Sequence, residues 1–174
     1  MLIRSLLVGL LLAAAAGRVA DAQSSDALLA ARAIEAVRGY VHFSIFDDVT
    51  VTVARGVVRL DGRVTAPFKR EEIGARVAKV TGVREVANEI QVLPFIGSDV
   101  DLRRTVAAAI YGHPAFWAYA SMARPPIHII VERGQVRLTG VVNNQVEKRL
   151  AYALAQVPGA FGVTNELRIE GAGP

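Results

Sequence analysis

Arg55-Gly56-Val57-Val58-Arg59-Leu60-Asp61-Gly62-Arg63-Val64 returns 78 residues later as Arg133-Gly134-Gln135-Val136-Arg137-Leu138-Thr139-Gly140-Val141-Val142. The Arg-Gly pair, the Val-Arg-Leu centre, the inner glycine and the closing valine all recur in place. A second block, Gly82-Val83-Arg84-Glu85-Val86-Ala87-Asn88-Glu89-Ile90, faces Gly159-Ala160-Phe161-Gly162-Val163-Thr164-Asn165-Glu166-Leu167 at an offset of 77. Two blocks in one order, with a one-residue slip near Thr65 to Lys69, mark an internal duplication.

Each block sits in a strand pattern. Val49, Val51 and Val53 alternate with Thr50 and Thr52, and Val58, Leu60 and Val64 alternate with Arg59, Asp61 and Arg63. In copy two, Ile127, Ile129 and Val131 are followed by Val136, Leu138 and Val142. A period of two means one buried face and one open face. Arg55-Gly56 and Arg133-Gly134 fall at the hairpin turns. Gly62 and Gly140 lie on the buried parity of the second strand, which predicts a helix passing close or a bend in the strand.

Helices flank these hairpins. The spacing predicts a first helix over Asp26 to Arg38 and its counterpart over Asp101 to Tyr111. Gly39 and Gly112 follow them at positions suited to left-handed caps. The second helices are expected over Phe68 to Val80 and over Gln145 to Val157, the latter with Val146, Leu150, Leu154 and Val157 inward. Gly82 and Gly159 end them, and the last strands run from Arg84 to Leu93 and from Phe161 to Ile169. The expected fold class is α+β: two tandem αββαβ modules, each a three-stranded mixed sheet with two helices on one face. Gly56, Gly62, Gly82, Gly134, Gly140 and Gly159 are its structural glycines. The expected bounds are 1–22 for a signal peptide, 23–93 for module 1, 94–98 for a linker, 99–170 for module 2 and 171–174 for a tail.

The first residues give the address. Met1-Leu2-Ile3-Arg4 is a short cationic start, an apolar run from Ser5 to Ala16 follows, and Ala20-Asp21-Ala22 is a small-x-small cleavage pattern. The run is too short to span a bilayer, so cleavage after Ala22 and a periplasmic location are expected. Without Arg4, Arg18 and Asp21 the charged residues fall from 20 basic and 16 acidic to 18 and 15. That mild excess is no nucleic-acid footprint, and would suit weak attraction to an anionic surface. The chain has no Cys, so disulfides, thiolate metal sites and a lipid-anchored amino terminus are not expected.

The pattern Gly-x-Val-x-Leu-x-Gly-x-Val, then an amphipathic helix, then Gly-Val-x-x-Val-x-Asn-x-Ile/Leu, resembles the BON domain (bacterial OsmY and nodulation). Copy one carries it as Gly56, Val58, Leu60, Gly62, Val64, Gly82, Val83, Val86, Asn88 and Ile90. Copy two carries it as Gly134, Val136, Leu138, Gly140, Val142, Gly159, Val163, Asn165 and Leu167, with Ala160 where Val is usual. The resemblance implies an envelope protein of the osmotically inducible, dual-BON type. It further implies binding to phospholipid surfaces and support of envelope integrity, without catalysis.

Copy two is longer between matching glycines: Gly112 to Gly134 is 22 positions, against 17 from Gly39 to Gly56. The added stretch holds Phe116, Tyr119 and the only Trp, Trp117, and ends at Arg124. On the preceding helix Arg104, Ala107, Ala108 and Tyr111 share the face opposite the core stripe, with Arg103 beside it. Aromatic rings with apolar bodies and polar tips suit a membrane interface. Arg103, Arg104, Tyr111, Phe116, Trp117, Tyr119 and Arg124 are therefore the lipid-binding candidates, although the same rings would serve as plugs of the core or of the seam between copies. Ile130 and Val141, apolar on the open face of copy two, predict that this face is covered.

Catalytic patterns are missing. His42, His113 and His128 have no metal-ligand spacing, and there is neither a phosphate loop nor a nucleophile elbow. Glu71 and Glu72, among Lys69, Arg70 and Arg76, read as a solvated charged face. No enzyme activity, cofactor, metal, nucleic acid or small-molecule substrate is expected. The partner is expected to be an anionic phospholipid surface or, alternatively, another envelope protein bound without lipid affinity.

Overall fold

The computed structural model describes residues 25–171. The expected signal segment and the last three residues of the expected tail lie outside the described residues. Helix α1 (25–38) leads into a loop and then strands β1 (Asp48–Ala54) and β2 (Val57–Val64). Helix α2 (Pro67–Ala78) and short strands β3 (Glu85–Asn88) and β4 (Gln91–Val92) complete module 1. Module 2 repeats the order with α3 (Gly97–Tyr111), a 3₁₀ turn (Pro114–Phe116), α4 (Trp117–Ala120), β5 (Ile127–Glu132), β6 (Gln135–Val142), α5 (Gln145–Ala155), β7 (Gly162–Asn165) and β8 (Arg168–Ile169).

Both sheets are mixed. β1 pairs antiparallel with β2, and β3 and β4 pair parallel with the two ends of β2; β5, β6, β7 and β8 do the same. The third strand is thus broken in each copy. Asn88 causes the break: its amide donates to the Arg70 carbonyl at 2.8 Å and its oxygen accepts from the Ile90 N–H at 3.3 Å. Asn165 repeats this with Lys148 and Leu167. Local side-chain bonding competes with the ladder over the two residues between the halves, Glu89 and Ile90 in module 1 and Glu166 and Leu167 in module 2, with the register on the central strand unchanged.

Each module buries its own core. Leu29, Ala33 and Val37 of α1 and Ile73 and Val77 of α2 cover Val58, Leu60 and Val64 of β2. In module 2, Leu102, Val106 and Ile110 of α3 and Ala151 and Ala155 of α5 cover the matching face, joined by Phe116 and Tyr119. Two helices on one face leave the other face of each sheet to something else.

Several positions differ from expectation, each for a stated reason. Neither Gly39 nor Gly112 is left-handed; Gly112 has φ −78°, and a Cβ there would lie 2.5 Å from the Ala108 carbonyl, as one on Gly39 would lie 3.0 Å from that of Glu35, so crowding rather than handedness selects glycine. A Cβ on Gly62 or Gly140 would meet not a helix but the neighbouring strand, 2.1 Å from the Asp48 oxygen or 1.9 Å from that of Pro126. Both glycines bend the strand at positive φ, +130° and +107°. The second helices stop at Ala78 and Ala155, short of Gly82 and Gly159. Val146 is 74% exposed, because Glu147 takes the inward position to cap α5.

Candidate functional site

The hairpin turns are fixed by two aspartates from the helix starts. Arg55 and Gly56 both have positive φ, as do Arg133 and Gly134, the signature of a two-residue hairpin. Asp26 accepts from the N–H groups of Arg55 and Gly56 at 2.6 and 3.1 Å; Asp99 accepts from Arg133 and Gly134 at 2.7 and 2.9 Å. Neither aspartate was a sequence candidate. The signal existed, since Asp26 and Asp99 precede Gly39 and Gly112 by the same count.

The seven lipid candidates separate into two groups. Phe116 is fully buried and Tyr119 nearly so, both within the module 2 core. The Tyr119 hydroxyl donates to Glu147 at 2.6 Å and accepts from the Asn143 N–H at 2.9 Å, and burial with the Glu147 bond pushes its pKa up to about 12. Arg103 turns inward, 6% exposed, and donates to the Val131 carbonyl at 2.8 Å; burial pulls its pKa below the usual value while Asp99 and Asp47 oppose that. The Tyr111 hydroxyl donates to the Ile127 carbonyl at 2.6 Å, and burial raises its pKa. These four belong to the packing of the module. Aromatic rings next to a small core fill it, and a helix lying beside an edge strand draws Arg103 to that strand's free carbonyl.

Three candidates remain outside. Trp117 is 61% exposed, with its indole N–H donating to the Gly112 carbonyl at 3.1 Å. Arg104 lies on the outer face of α3, 3.7 Å from Asp101. Arg124 pairs with Glu35 of module 1 at 2.8 Å and holds that carboxyl below its ordinary pKa. The Tyr119–Glu147 bond seats α4 on the first turn of α5, so Trp117 and the exposed Val146 share one end of module 2. Arg149 is exposed one turn on from Val146. Arg104 is about 12 Å up the helix from Gly112, by the rise per residue, and is not part of that end.

The open faces of the two sheets look onto a shared cleft, with Thr50, Thr52, Arg59 and Asp61 exposed, and the modules touch chiefly through the loop before β1. Loop residues Ile45 and Phe46 of module 1 pack on the module 2 core, the Ile129 N–H donates to the Ile45 carbonyl at 2.7 Å, and the Phe43 ring lies tilted against His128 with centroids 5.6 Å apart. Arg63 reaches Glu132 across the seam at 3.5 Å. Ile130 is 3% exposed, as a covered face requires. A cleft of about 820 Å³ remains, lined by Thr50, Thr52, Arg59 and Arg63 on one side and Ile130, Glu132 and Arg137 on the other.

The charged face of α2 is solvated as expected at Arg70, Glu71, Glu72 and Arg76, and Lys69 alone departs from it. Lys69 is buried and donates to Asp47 at 2.6 Å and to the Thr65 hydroxyl at 2.8 Å. Asp47, fully buried, also accepts from Ser44 and Thr65 through both main-chain and hydroxyl donors. Glu72 accepts from the Tyr40 hydroxyl at 2.7 Å. Every charge in this cluster has a partner, which is what permits its burial. Among the described residues no three His, Asp or Glu side chains converge as a metal site, and no helix is long and apolar enough to cross a membrane.

The BON domain model matches twice, over residues 25–94 and 98–171. No curated protein matches the chain. Among solved structures the chain is similar to CdsD, a structural protein of the type III secretion system of Chlamydia trachomatis, with 15% identity over 78% of this chain and 89% of that one and a TM-score of 0.29. The C-terminal domain of CdsD aligns at 13% identity over 78% and 96%, with a TM-score of 0.27. At those scores the likeness carries no argument. The duplicated motif, the two mixed sheets under paired helices and the two family matches agree: the chain belongs to the BON domain family and carries two BON domains in tandem.

Proposed function

We propose that this is an exported, non-catalytic protein of the periplasm that attaches weakly to anionic phospholipid surfaces and supports the envelope under osmotic stress. The observation that carries the reading is the exposed Trp117 ring, whose N–H is already bonded, on the short helix that Tyr119 ties to the start of α5, where Val146 and Arg149 are also exposed. A ring with its polar end satisfied enters an interface without leaving a donor unpaired. Each arginine near an anionic surface adds about 1 kcal/mol, so attachment is weak and salt-sensitive.

Vesicle flotation of 23–174 tests the reading. Binding is expected with phosphatidylglycerol-containing vesicles at low salt, to be lost at moderate salt, and to be absent with zwitterionic vesicles. Trp117→Ala should weaken it about tenfold while leaving the unfolding midpoint unchanged, since the ring is not in the core. The single Trp also reports directly: its emission should shift blue on anionic vesicles. Absence of flotation in both lipids would replace this reading with docking on an envelope protein.

A further inference from the structure

In an antiparallel pair, alternate residues turn their main-chain groups away from the partner strand. The two-residue turns fix which residues these are. Ala54 pairs with Val57 and Glu132 with Gln135 across the turns, so these are the bonded pairs. Counting back from them, Val49, Val51 and Val53 of β1 and Ile127, Ile129 and Val131 of β5 direct N–H and C=O to the free edge. On the β5 edge each of the three residues has at least one group bonded. The Tyr111 hydroxyl takes both groups of Ile127, Ile129 donates to Ile45, and Val131 accepts from Arg103. The β1 edge is open: among the described residues nothing bonds the free side of Val49, Val51 or Val53.

The repeat explains the difference. Aligning Gly39 with Gly112 sets Arg38 opposite Tyr111 and Ala30 opposite Arg103, so copy one lacks both side chains that close the edge in copy two. The third closure, a main-chain segment of the other module, has its counterpart in Ala123–Pro126. That segment stands across a cleft of about 790 Å³ from Val49 and Val51 instead of bonding to them.

We propose that the free edge of β1 is a docking slot for an extended segment of a partner protein, added as a further strand. The occupant follows from the interface already present, because the main chain of Ile45 pairs with the β5 edge at the equivalent place. A single extended segment needs only strand spacing, about 4.8 Å, beside β1, whereas the edge of a second copy would bring a whole sheet toward the Ala123–Pro126 wall of the cleft. Ile34 and Val37 line one side of the cleft and Thr139 and Arg137 another. The segment it takes therefore alternates apolar and polar residues over about five positions, enough to pair with Val49, Val51 and Val53. This slot is independent of the lipid-contact end.

Amide hydrogen exchange by NMR on 23–174 tests it, with a synthetic peptide of alternating valine and threonine flanked by lysines as probe. In the free chain the amides of Val49, Val51 and Val53 should exchange about 100-fold faster than those of Ile127 and Ile129, and saturating peptide should remove the difference. Val51→Pro deletes a free donor without touching the β1–β2 ladder, and should abolish the peptide effect at Val49 and Val53 with the fold retained. The double variant Ala30→Arg, Arg38→Tyr imports the copy-two closures and should also block the peptide. Slow exchange at Val49, Val51 and Val53 in the free, dilute chain would overturn the proposal. So would protection that grows with protein concentration alone, which assigns the edge to a second copy. Exchange unchanged by the peptide, or a peptide effect that survives both variants, would equally overturn it.

Discussion

His128 lies in the seam with its ring against Phe43 and its Nδ1 without a hydrogen-bond partner among the described residues. Burial pushes its pKa below the ordinary histidine value, against the opposing pull of Asp48 and Asp47. The folded chain therefore resists a proton that the unfolded chain accepts near pH 6.5. Stability from the neutral ring is complete above that pH, falls as pH drops through it, and stops falling once the folded-state pKa is passed. Urea titrations between pH 7.5 and 5 should show a loss approaching about 1.4 kcal/mol per pH unit in that window, and His128→Gln should flatten its share of it. A His128→Gln chain as pH-sensitive as the parent would assign the effect to other groups. None of this was legible from a lone histidine in a β pattern. What buries His128 comes from a loop some 80 residues earlier in the chain, and only the apolar Ile130 and Val141 on the same face announced a covered face.

At the scale of elements, strand glycines and helix stripes were unequally legible. The alternation in β1, β2, β5 and β6 was readable because a sheet with one covered face imposes a strict period of two. The α5 stripe holds at Leu150, Leu154 and Val157, which pack on the core, and fails only at Val146, because Glu147 is drawn in by the Asn144 cap, Asn143 and the Tyr119 hydroxyl, none of which a hydrophobic period registers. Arg103 was misplaced for a similar reason: the edge carbonyl that captures it belongs to another element. The surroundings of Gly140 make a sharp prediction. A Cβ there would lie 1.9 Å from the Pro126 carbonyl at a φ of +107°, so Gly140→Ala must push β5 off β6 at its entry. The expected cost is about 3 kcal/mol or more, read as a drop in thermal midpoint. Gly97→Ala is the control. Its Cβ meets nothing within 4 Å at the start of α3, and it should stabilise by roughly 0.5 kcal/mol. Equal midpoints for the two variants would mean that the Gly140 strand relaxes freely.

For the whole molecule the question is what joins two modules each near the lower size limit for independent folding. Of the ion pairs across the seam, Arg124–Glu35 is largely exposed and Arg63–Glu132 is long at 3.5 Å and partly exposed, so both contribute little. The apolar contacts of Phe43, Ile45 and Phe46 with module 2, and the burial of Ile130, are the stronger terms. Cooperative unfolding should therefore be insensitive to salt and sensitive to Ile130. Calorimetry on the parent chain should give one transition at both low and high salt. Ile130→Asp places a carboxylate on a nearly inaccessible site between the sheets, where it either stays unpaired at several kcal/mol or forces the faces apart. Either result weakens the coupling while leaving both module cores intact, so the single transition should split into two. A single, merely lowered transition would mean that the Ile45 main-chain bond and the neighbouring rings suffice to couple the modules. An unchanged transition would mean that the face tolerates solvent and that the seam is held elsewhere.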